Sequence, residues 1–249
     1  TKDVQRLRGQ FRAQLCNCDP PYAVSYDRRN RPAAKLQKDN IVPGEARSMR
    51  IQNDDLTPIQ YKKWFVKVAN SINEVLVPGA PYYIWNSHKN FGLMHDLLSE
   101  RNFKISCVIT WAKESFSPNF SDYNEQVEFC LYGWKGGAKH NWYGPKNEST
   151  LWDIHRDRIS SYRHPTQKAL ELAERAVRNS SKYGDIVFDP FLGSGTSLIA
   201  AARLGRRCFG IEIEPKYCDV IVRRYVAAAG KGSVSKKIAE RYCSEEVVV

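Results

Sequence analysis

The stretch DIVFDPFLGSGTSLIAAARLGRRCFGIE, residues 185–212, decides the fold of this chain. It opens with a short apolar strand at 185–188, of the type that is buried in parallel sheets. An alanine-rich helix is predicted over 197–204, and it stops at Gly205. A second strand follows at 207–211. Strand, helix and strand in this order predict one βαβ unit of an α/β domain.

The loop inside this unit has the composition of a ligand site. Gly193 and Gly195 allow the backbone to approach a ligand closely, and Ser194 or Thr196 is suited to cap the helix that follows. Glu212, one βαβ unit later, is placed to accept hydrogen bonds from ribose hydroxyls. A third glycine and a Gly-Lys-Ser/Thr sequence are both missing, which favours a nucleoside ligand without a pyrophosphate.

A second motif, Asp19-Pro20-Pro21-Tyr22, lies near the other end of the chain. Residues 14–18 have strand character, and two consecutive prolines end that strand, so Asp19 is expected at its carboxyl end. Open α/β sheets bind their ligands at that edge. The rigid turn holds the Asp19 carboxylate and the Pro20 carbonyl as two acceptors, which suit the two donors of an amino group. Tyr22 offers a flat face on which a base can stack. An ordinary Asp-Pro turn is the alternative.

Together, in this order, the two motifs resemble the β class of amino-directed DNA methyltransferases, in which the catalytic motif precedes the cofactor motif. The resemblance covers residues 15–225. It implies an α/β, Rossmann-like methyltransferase fold with circularly permuted motifs and a mostly parallel sheet with helices on both faces. It also implies S-adenosyl-L-methionine as the cofactor.

The resemblance assigns the site residue by residue. The catalytic set is Asp19, Pro20, Pro21 and Tyr22. A second cofactor segment, His164-Pro165-Thr166-Gln167-Lys168, departs from the family only in having Ala169 where a second proline is usual. The cofactor set is His164, Thr166, Lys168, Asp189, Phe191, Gly193, Ser194, Gly195, Thr196 and Glu212.

The implied reaction is methylation of the N6 amino group of adenine in duplex DNA, of the restriction-modification kind, with the base flipped out of the helix. Asp at position 19 favours adenine, because cytosine-N4 enzymes of this class more often carry Ser there. Three alternatives remain open: an N4-cytosine DNA methyltransferase, an RNA adenine methyltransferase, and an inactive subunit that only binds nucleic acid. The sequence does not indicate the recognition site or a paired endonuclease.

Charge supports a nucleic-acid partner. Lys and Arg number 38 against 27 Asp and Glu, a net charge of +11, which suits a polyanion such as double-stranded DNA. Basic residues concentrate in a loop over 23–56 and in a candidate target-recognition insert over 133–163, although a solvated insert and edge packing are the alternatives. The predicted DNA contacts are Arg28, Arg29, Arg31, Lys35, Lys135, Lys139, Trp142, Arg156 and Arg158.

The remaining features predict one methyltransferase domain over 1–249, and a homodimer is left open. Seven cysteines, an odd number, indicate reduced cytosolic thiols, and their spacing indicates no metal site. The resemblance implies a cytoplasmic, nucleoid-associated protein of bacterial or phage origin. Residues 57–60 read as a capping box with a first-turn proline, so an amphipathic helix is predicted from there to before Pro78. No stretch is apolar and long enough to predict a membrane span or a signal peptide.

Overall fold

The computed structural model describes residues 11–23, 54–117, 122–157 and 168–243. Within them, seven strands form one sheet in the order β5-β3-β4-β2-β1-β6-β7. The strands are β1 (Leu15–Cys18), β2 (Pro81–Asn86), β3 (Phe103–Ser117), β4 (Glu125–Lys135), β5 (Leu151–Asp153), β6 (Ile186–Asp189) and β7 (Arg207–Gly210).

The sheet is parallel except for one strand. β1 pairs in parallel with β2 and β6, β6 with β7, and β3 with β5, whereas β4 runs antiparallel to both β2 and β3. The predicted mostly parallel α/β sheet is therefore confirmed. β3 and β4 extend as an antiparallel ribbon beyond the neighbouring strands, where their polar ends pair with each other, Ser117 with Glu125.

The described residues form six α-helices, which include the two predicted after the capping box at 57–60 and over 197–204. They are α1 (Pro58–Val75), α2 (Phe91–Ser99), α3 (Leu170–Ser180), α4 (Thr196–Arg203), α5 (Pro215–Ala229) and α6 (Lys236–Cys243). At the start of α1, the Thr57 and Gln60 side chains form the predicted capping box. Ala169, which stands where the family usually has proline, is the N-cap residue of α3 and is fully buried.

Helices cover both faces of the sheet because the strands are apolar on both faces. On one face, Cys16, Tyr82, Ile84 and Phe188 pack with α1 and α2. On the other face, alternate strand residues such as Leu15, Tyr83, Trp85 and Val187 pack with α3 and α4. This layering confirms the Rossmann-like architecture. None of the described helices is long and apolar enough to cross a membrane.

The topology brings the two motifs together. β1 and β6 are parallel neighbours, with Cys16 level with Phe188, so both strands end at the same edge of the sheet. Asp19 follows β1 directly, and the glycine loop follows β6 directly. Motifs that are about 170 residues apart along the chain thus share one edge, the edge at which open α/β sheets bind ligands.

Candidate active site

Asp19 lies at the carboxyl end of β1 and is held on both sides. Its Oδ1 accepts a hydrogen bond from the Tyr22 hydroxyl at 2.6 Å, and its Oδ2 lies 2.9 Å from the Lys168 ammonium. The side chain is 24% exposed, so it still borders solvent. A carboxylate has about four lone-pair positions, and these two contacts leave acceptor capacity for a third group.

Tyr22 is a hydrogen-bonding partner as well as an aromatic surface. Besides donating to Asp19, its hydroxyl oxygen accepts from Lys168 Nζ at 3.1 Å. Its backbone carbonyl accepts from the Asn90 side-chain amide, and the Lys168 ammonium lies 5.3 Å from its ring centroid. Pro20 is buried, and Pro21 and Tyr22 are half-buried. The Asp-Pro-Pro-Tyr turn is therefore fixed by side-chain contacts from two other segments.

Lys168 connects Asp19 to two residues that the sequence analysis did not identify. Its ammonium lies 2.7 Å from Glu128 Oε2, and Glu128 Oε1 lies 2.8 Å from Lys113 Nζ. We call Asp19, Lys168, Glu128 and Lys113 the charge row. A sequence signal for it exists, because Glu128 stands in the otherwise apolar run at 127–132, and a charge in such a position requires a partner.

Burial and the neighbouring charges shift the pKa values of both carboxylates of the row. Burial raises the pKa of Asp19, and the positive charge of Lys168 only partly opposes that rise. Burial would also raise the pKa of Glu128, but the charges of Lys168 and Lys113 outweigh it and lower that pKa to about 2. Burial raises the pKa of the Tyr22 phenol, as does the Asp19 charge, so Tyr22 remains a donor. Asp19 is thus the more basic carboxylate of the two.

The glycine loop between β6 and α4 is bent by two left-handed residues. Gly193 has φ 55° and Gly195 has φ 88°, conformations that side chains disfavour. Gly195, not Ser194 or Thr196, is the N-cap residue of α4, and no side chain caps this helix. The prediction of a Ser194 or Thr196 cap was wrong because Ser194 is turned toward α5, where Arg224 donates to its carbonyl and hydroxyl oxygens at 2.6 Å each.

Two carboxylates, those of Glu212 and Asp189, accept hydrogen bonds from backbone N–H groups of the glycine loop. Glu212 accepts the Gly193 N–H through Oε2 and the Glu214 N–H through Oε1, both at 2.8 Å. Asp189 Oδ1 accepts the Phe191 N–H at 2.9 Å. Burial raises the pKa of Asp189 to about 7, against the hydrogen bonds from Ser197 and Phe191 that lower it. Glu212 therefore shapes the loop itself and keeps a second lone pair on each oxygen for a ligand.

One cleft joins the two motifs. It is lined from the β1 side by Asn17, Cys18 and Asp19, and from the loop by Asp189 and residues 191–194, 196 and 197. Lys168 and Trp85 close its other side. Asn17 donates to Ser197 Oγ at 3.0 Å, but its buried Oδ1 has no hydrogen-bond partner among the described residues. The cleft thus offers an unsatisfied acceptor between the catalytic motif and the loop.

Some of the predicted site residues line this cleft, and others lie outside the described residues. Lys168, Asp189, Phe191, Gly193, Ser194 and Thr196 line the cleft. His164 and Thr166 lie outside the described residues, as do Arg28, Arg29, Arg31, Lys35 and Arg158.

Two of the predicted DNA contacts lie at the opposite edge of the sheet. Lys135 ends β4 next to the start of β2, and its ammonium donates to the carbonyls of Asn73 at 2.5 Å and Leu76 at 2.8 Å. It therefore binds the last turn of α1, and this position argues against a DNA contact. Lys139 is exposed at the same edge, where its carbonyl approaches Gly79.

The rest of the 133–163 insert crosses from that edge to the active-site edge. The Tyr143 N–H donates to Asn179 at the end of α3, and Trp142, 38% exposed, packs there against Tyr132. β5 then runs parallel to β3 and buries Trp152 in the core. Arg156 emerges at the active-site edge, where it bonds to Glu114 and Ser115. Of the described part of the insert, only its last residues lie near Asp19.

A family model and two relatives match this chain over most of its length. The family model N6_N4_Mtase, described as DNA methylase, matches residues 13–223. The Type II methyltransferase M2.MboI of Moraxella bovis is 28% identical over 225 residues, 83% of this chain and 78% of its own length. M2.DpnII of Streptococcus pneumoniae, also a Type II methyltransferase, is 32% identical over 181 residues, 67% of this chain and 66% of its own.

Solved structures share the architecture. The crystal structure of M1.HpyAVI in complex with SAM superposes with a TM-score of 0.65 at 25% identity, covering 90% of this chain and 94% of that one. The PvuII DNA methyltransferase, which is cytosine-N4-specific, superposes with a TM-score of 0.69 at 18% identity, covering 97% and 89%. At that identity the second likeness bears on the fold alone.

Proposed function

Because this chain belongs to the N6/N4 DNA methylase family, we propose that it methylates the N6 amino group of adenine in duplex DNA, with S-adenosylmethionine as methyl donor. The chain is a DNA methyltransferase. The proposal concerns the target base, the flipping of that base and the role of each residue.

One observation carries the proposal. The Asp19 carboxylate and the Gly193–Thr196 loop face the same cleft from the ends of adjacent parallel strands. Methyl transfer requires an acceptor for the target amino group and a nucleoside site side by side, since the reacting atoms must meet within about 3–3.5 Å. The Asp19 carboxylate and the loop thus lie at one sheet edge, which supports the proposed division of roles between them.

The residues of the cleft fit S-adenosylmethionine. When bound, this cofactor supplies an electrophilic methyl group on a positively charged sulfur. The unsatisfied Asn17 Oδ1 suits one of its N–H or O–H donors. Glu212 does not line the cleft itself, but it accepts from the Gly193 N–H of the lining loop and keeps lone pairs that suit the ribose hydroxyls. From the loop, Gly193 presents backbone and Phe191 and Leu192 present apolar side chains, a lining that accommodates a nucleoside. Among the residues that the structure describes, one cation, Lys168, lines the cleft, consistent with a cofactor that lacks phosphates.

Asp19 and Tyr22 act on the target base. An amino group inside the duplex cannot reach this cleft, so the adenine is flipped out and stacks on Tyr22. Asp19 accepts a hydrogen bond from the amino group, which localises the lone pair on the nitrogen for in-line attack. Its raised pKa makes Asp19 a better proton acceptor than a solvated aspartate when the methylated nitrogen loses its proton.

Among the described residues near Asp19, none is suited to attack the base and form a covalent enzyme–base intermediate. Cys18 lines the cleft, but burial raises the pKa of its thiol well above the ordinary value, so the reactive thiolate is disfavoured. Position and electrostatics therefore supply the catalysis. The Asp in the first motif position supports adenine over cytosine-N4 as the target.

The test is to identify the product. Purified protein is incubated with labelled S-adenosylmethionine and duplex DNA, and the nucleosides are separated by mass spectrometry, with Asp19→Ala as the control. We expect N6-methyladenine with the wild type alone. Formation of N4-methylcytosine would mean that cytosine is the target base. Methylation of RNA only would mean that RNA is the substrate. No product with any nucleic acid would refute the activity. Genomic DNA from an expressing host, sequenced with base-modification detection, then gives the recognition site.

The broader predictions from the sequence remain proposals: one domain over 1–249, a basic loop at 23–56 that contacts DNA, a target-recognition role for 133–163, a homodimer, and a cytoplasmic, nucleoid-associated location. For the target-recognition role we propose the residues of the insert from about His155 onward. The residues of the insert before His155 lie along the sheet edge opposite the active site and in β5.

A further inference from the structure

We propose that Glu128 and Lys113 are positioning residues that set the place and the charge of the Lys168 ammonium, and through it the strength of Asp19 as acceptor in methyl transfer. The inference rests on the proposed function, since it assigns Asp19 to the target amino group. Neither residue belongs to the two sequence motifs.

The geometry of the charge row supports this role. Along the row, positive and negative groups alternate from Lys113 to Glu128, Lys168 and Asp19, with contacts of 2.8, 2.7 and 2.9 Å. Lys113 is 8% exposed and Lys168 13%, so solvent screens these contacts weakly. Each oxygen of Glu128 faces a different lysine, and Glu128 therefore divides its charge between them.

The sheet fixes the outer half of the row. Glu128 lies on β4 opposite Trp111 of β3, and Lys113 follows Trp111 by two residues, so both charged groups stand on the same face of the sheet. That face carries the Trp85 ring, whose centroid lies 5.6 Å from the Lys168 ammonium. Lys168 thus reaches across β2, from Glu128 on one side to Asp19 on the other.

The charge count explains how the outer pair acts on Asp19. The row holds two carboxylates and two ammonium groups, so it is neutral. Without Glu128, the row carries one excess positive charge, and Lys113 adds to Lys168 in weakening Asp19 as an acceptor. Without Lys113, the row carries one excess negative charge, and Glu128 attracts Lys168 alone and draws it away from Asp19. Either single loss leaves the row charged, whereas loss of the pair keeps it neutral.

This reasoning gives a double-mutant test with Glu128→Gln, Lys113→Met and the double variant. We expect each single change to lower kcat about tenfold, in the range of coupling between contacting charged groups, while KM for S-adenosylmethionine stays within about twofold. We expect the double variant to recover most of the lost kcat. Where one single variant does not fold, the other single variant and the double variant give the same comparison.

Glu148→Gln is the matched control, because Glu148 pairs with Arg175 at 2.7 Å with similar exposure but outside the charge row. It should lower the melting temperature and leave kcat unchanged. Unchanged kcat in both single variants, a double variant no faster than the singles, or a loss confined to KM would overturn the inference. A loss of kcat in Glu148→Gln as large as in the single variants would do the same, because it would attribute the loss to lower stability. Wild-type protein without methylation activity would instead defeat the proposed function.

Discussion

Replacement of Asp19 by Asn separates its catalytic contribution from its structural one. Asn keeps the shape of the side chain and one oxygen that can accept from the Tyr22 hydroxyl, which lies 2.6 Å from Oδ1 in the wild type. It removes the negative charge and the second acceptor oxygen, which lies 2.9 Å from Lys168. Lys168 keeps Glu128 at 2.7 Å, so no unpaired buried charge is created.

The magnitudes follow from these contacts. Loss of one of two carboxylate partners of a lysine, at a side chain that is 24% exposed, should cost stability of only about 1 kcal/mol. Loss of a preorganised group that stabilises the transition state costs about 3 kcal/mol or more, which corresponds to at least a hundredfold in kcat. The kinetic effect should therefore far exceed the structural one.

The assay measures kcat with labelled S-adenosylmethionine and a duplex substrate, cofactor affinity by calorimetry, and unfolding by denaturant titration. We expect cofactor affinity within a few-fold of wild type for both Asp19→Asn and Asp19→Ala, because Asp19 contacts the target amino group. Activity above a tenth of the wild-type value in either variant would refute the catalytic assignment. A loss of cofactor affinity that accounts for the whole effect would refute the division of the cleft into two halves.

Variants at three further residues and one salt titration test other parts of the site. Glu212→Ala should weaken cofactor binding in calorimetry by about 1.5–3 kcal/mol, since charged acceptors and the support of the Gly193 N–H are lost; unchanged affinity would contradict this role. Tyr22→Ala should lose about 1–3 kcal/mol of stacking and reduce the 2-aminopurine fluorescence rise that reports flipping, while Tyr22→Phe keeps the stack; no rise with active wild type would exclude flipping. Burial raises the pKa of Asp189 from 3.8 to about 7, so the folded protein binds this proton more tightly than the unfolded chain does, and the stability that protonated Asp189 contributes is lost as pH rises from about 4 to 7. The melting temperature of Asp189→Asn should therefore exceed that of wild type by more at pH 8 than at pH 5. A difference that does not change with pH would contradict the raised pKa. Replacement of Arg28, Arg29 and Arg31 of the basic loop by alanine should lower the log–log slope of duplex binding against salt by up to about 3. An unchanged slope would show that these arginines do not contact phosphates.

The sequence by itself determined the local chemistry and the order of the elements. The apolar runs and the capping box defined β6, β1 and α1 because those signals depend on neighbours within one turn or one strand. The glycine spacing and the two prolines fixed the loop and the turn for the same reason. The catalytic and cofactor motifs could therefore be recognised before any contact between them was known.

Only the tertiary structure decided which side chains meet. Lys168 was assigned to the cofactor and lines the cleft, but only the structure shows that its ammonium also lies between Asp19 and Glu128. Lys135 was assigned to DNA, yet it binds the end of α1. Side chains from β1, β3, β4 and the segment before α3 converge through strand register and crossover connections, and the energy of a buried charge depends on which partners reach it in space. That information lies in the pairing of distant segments, which no local pattern specifies.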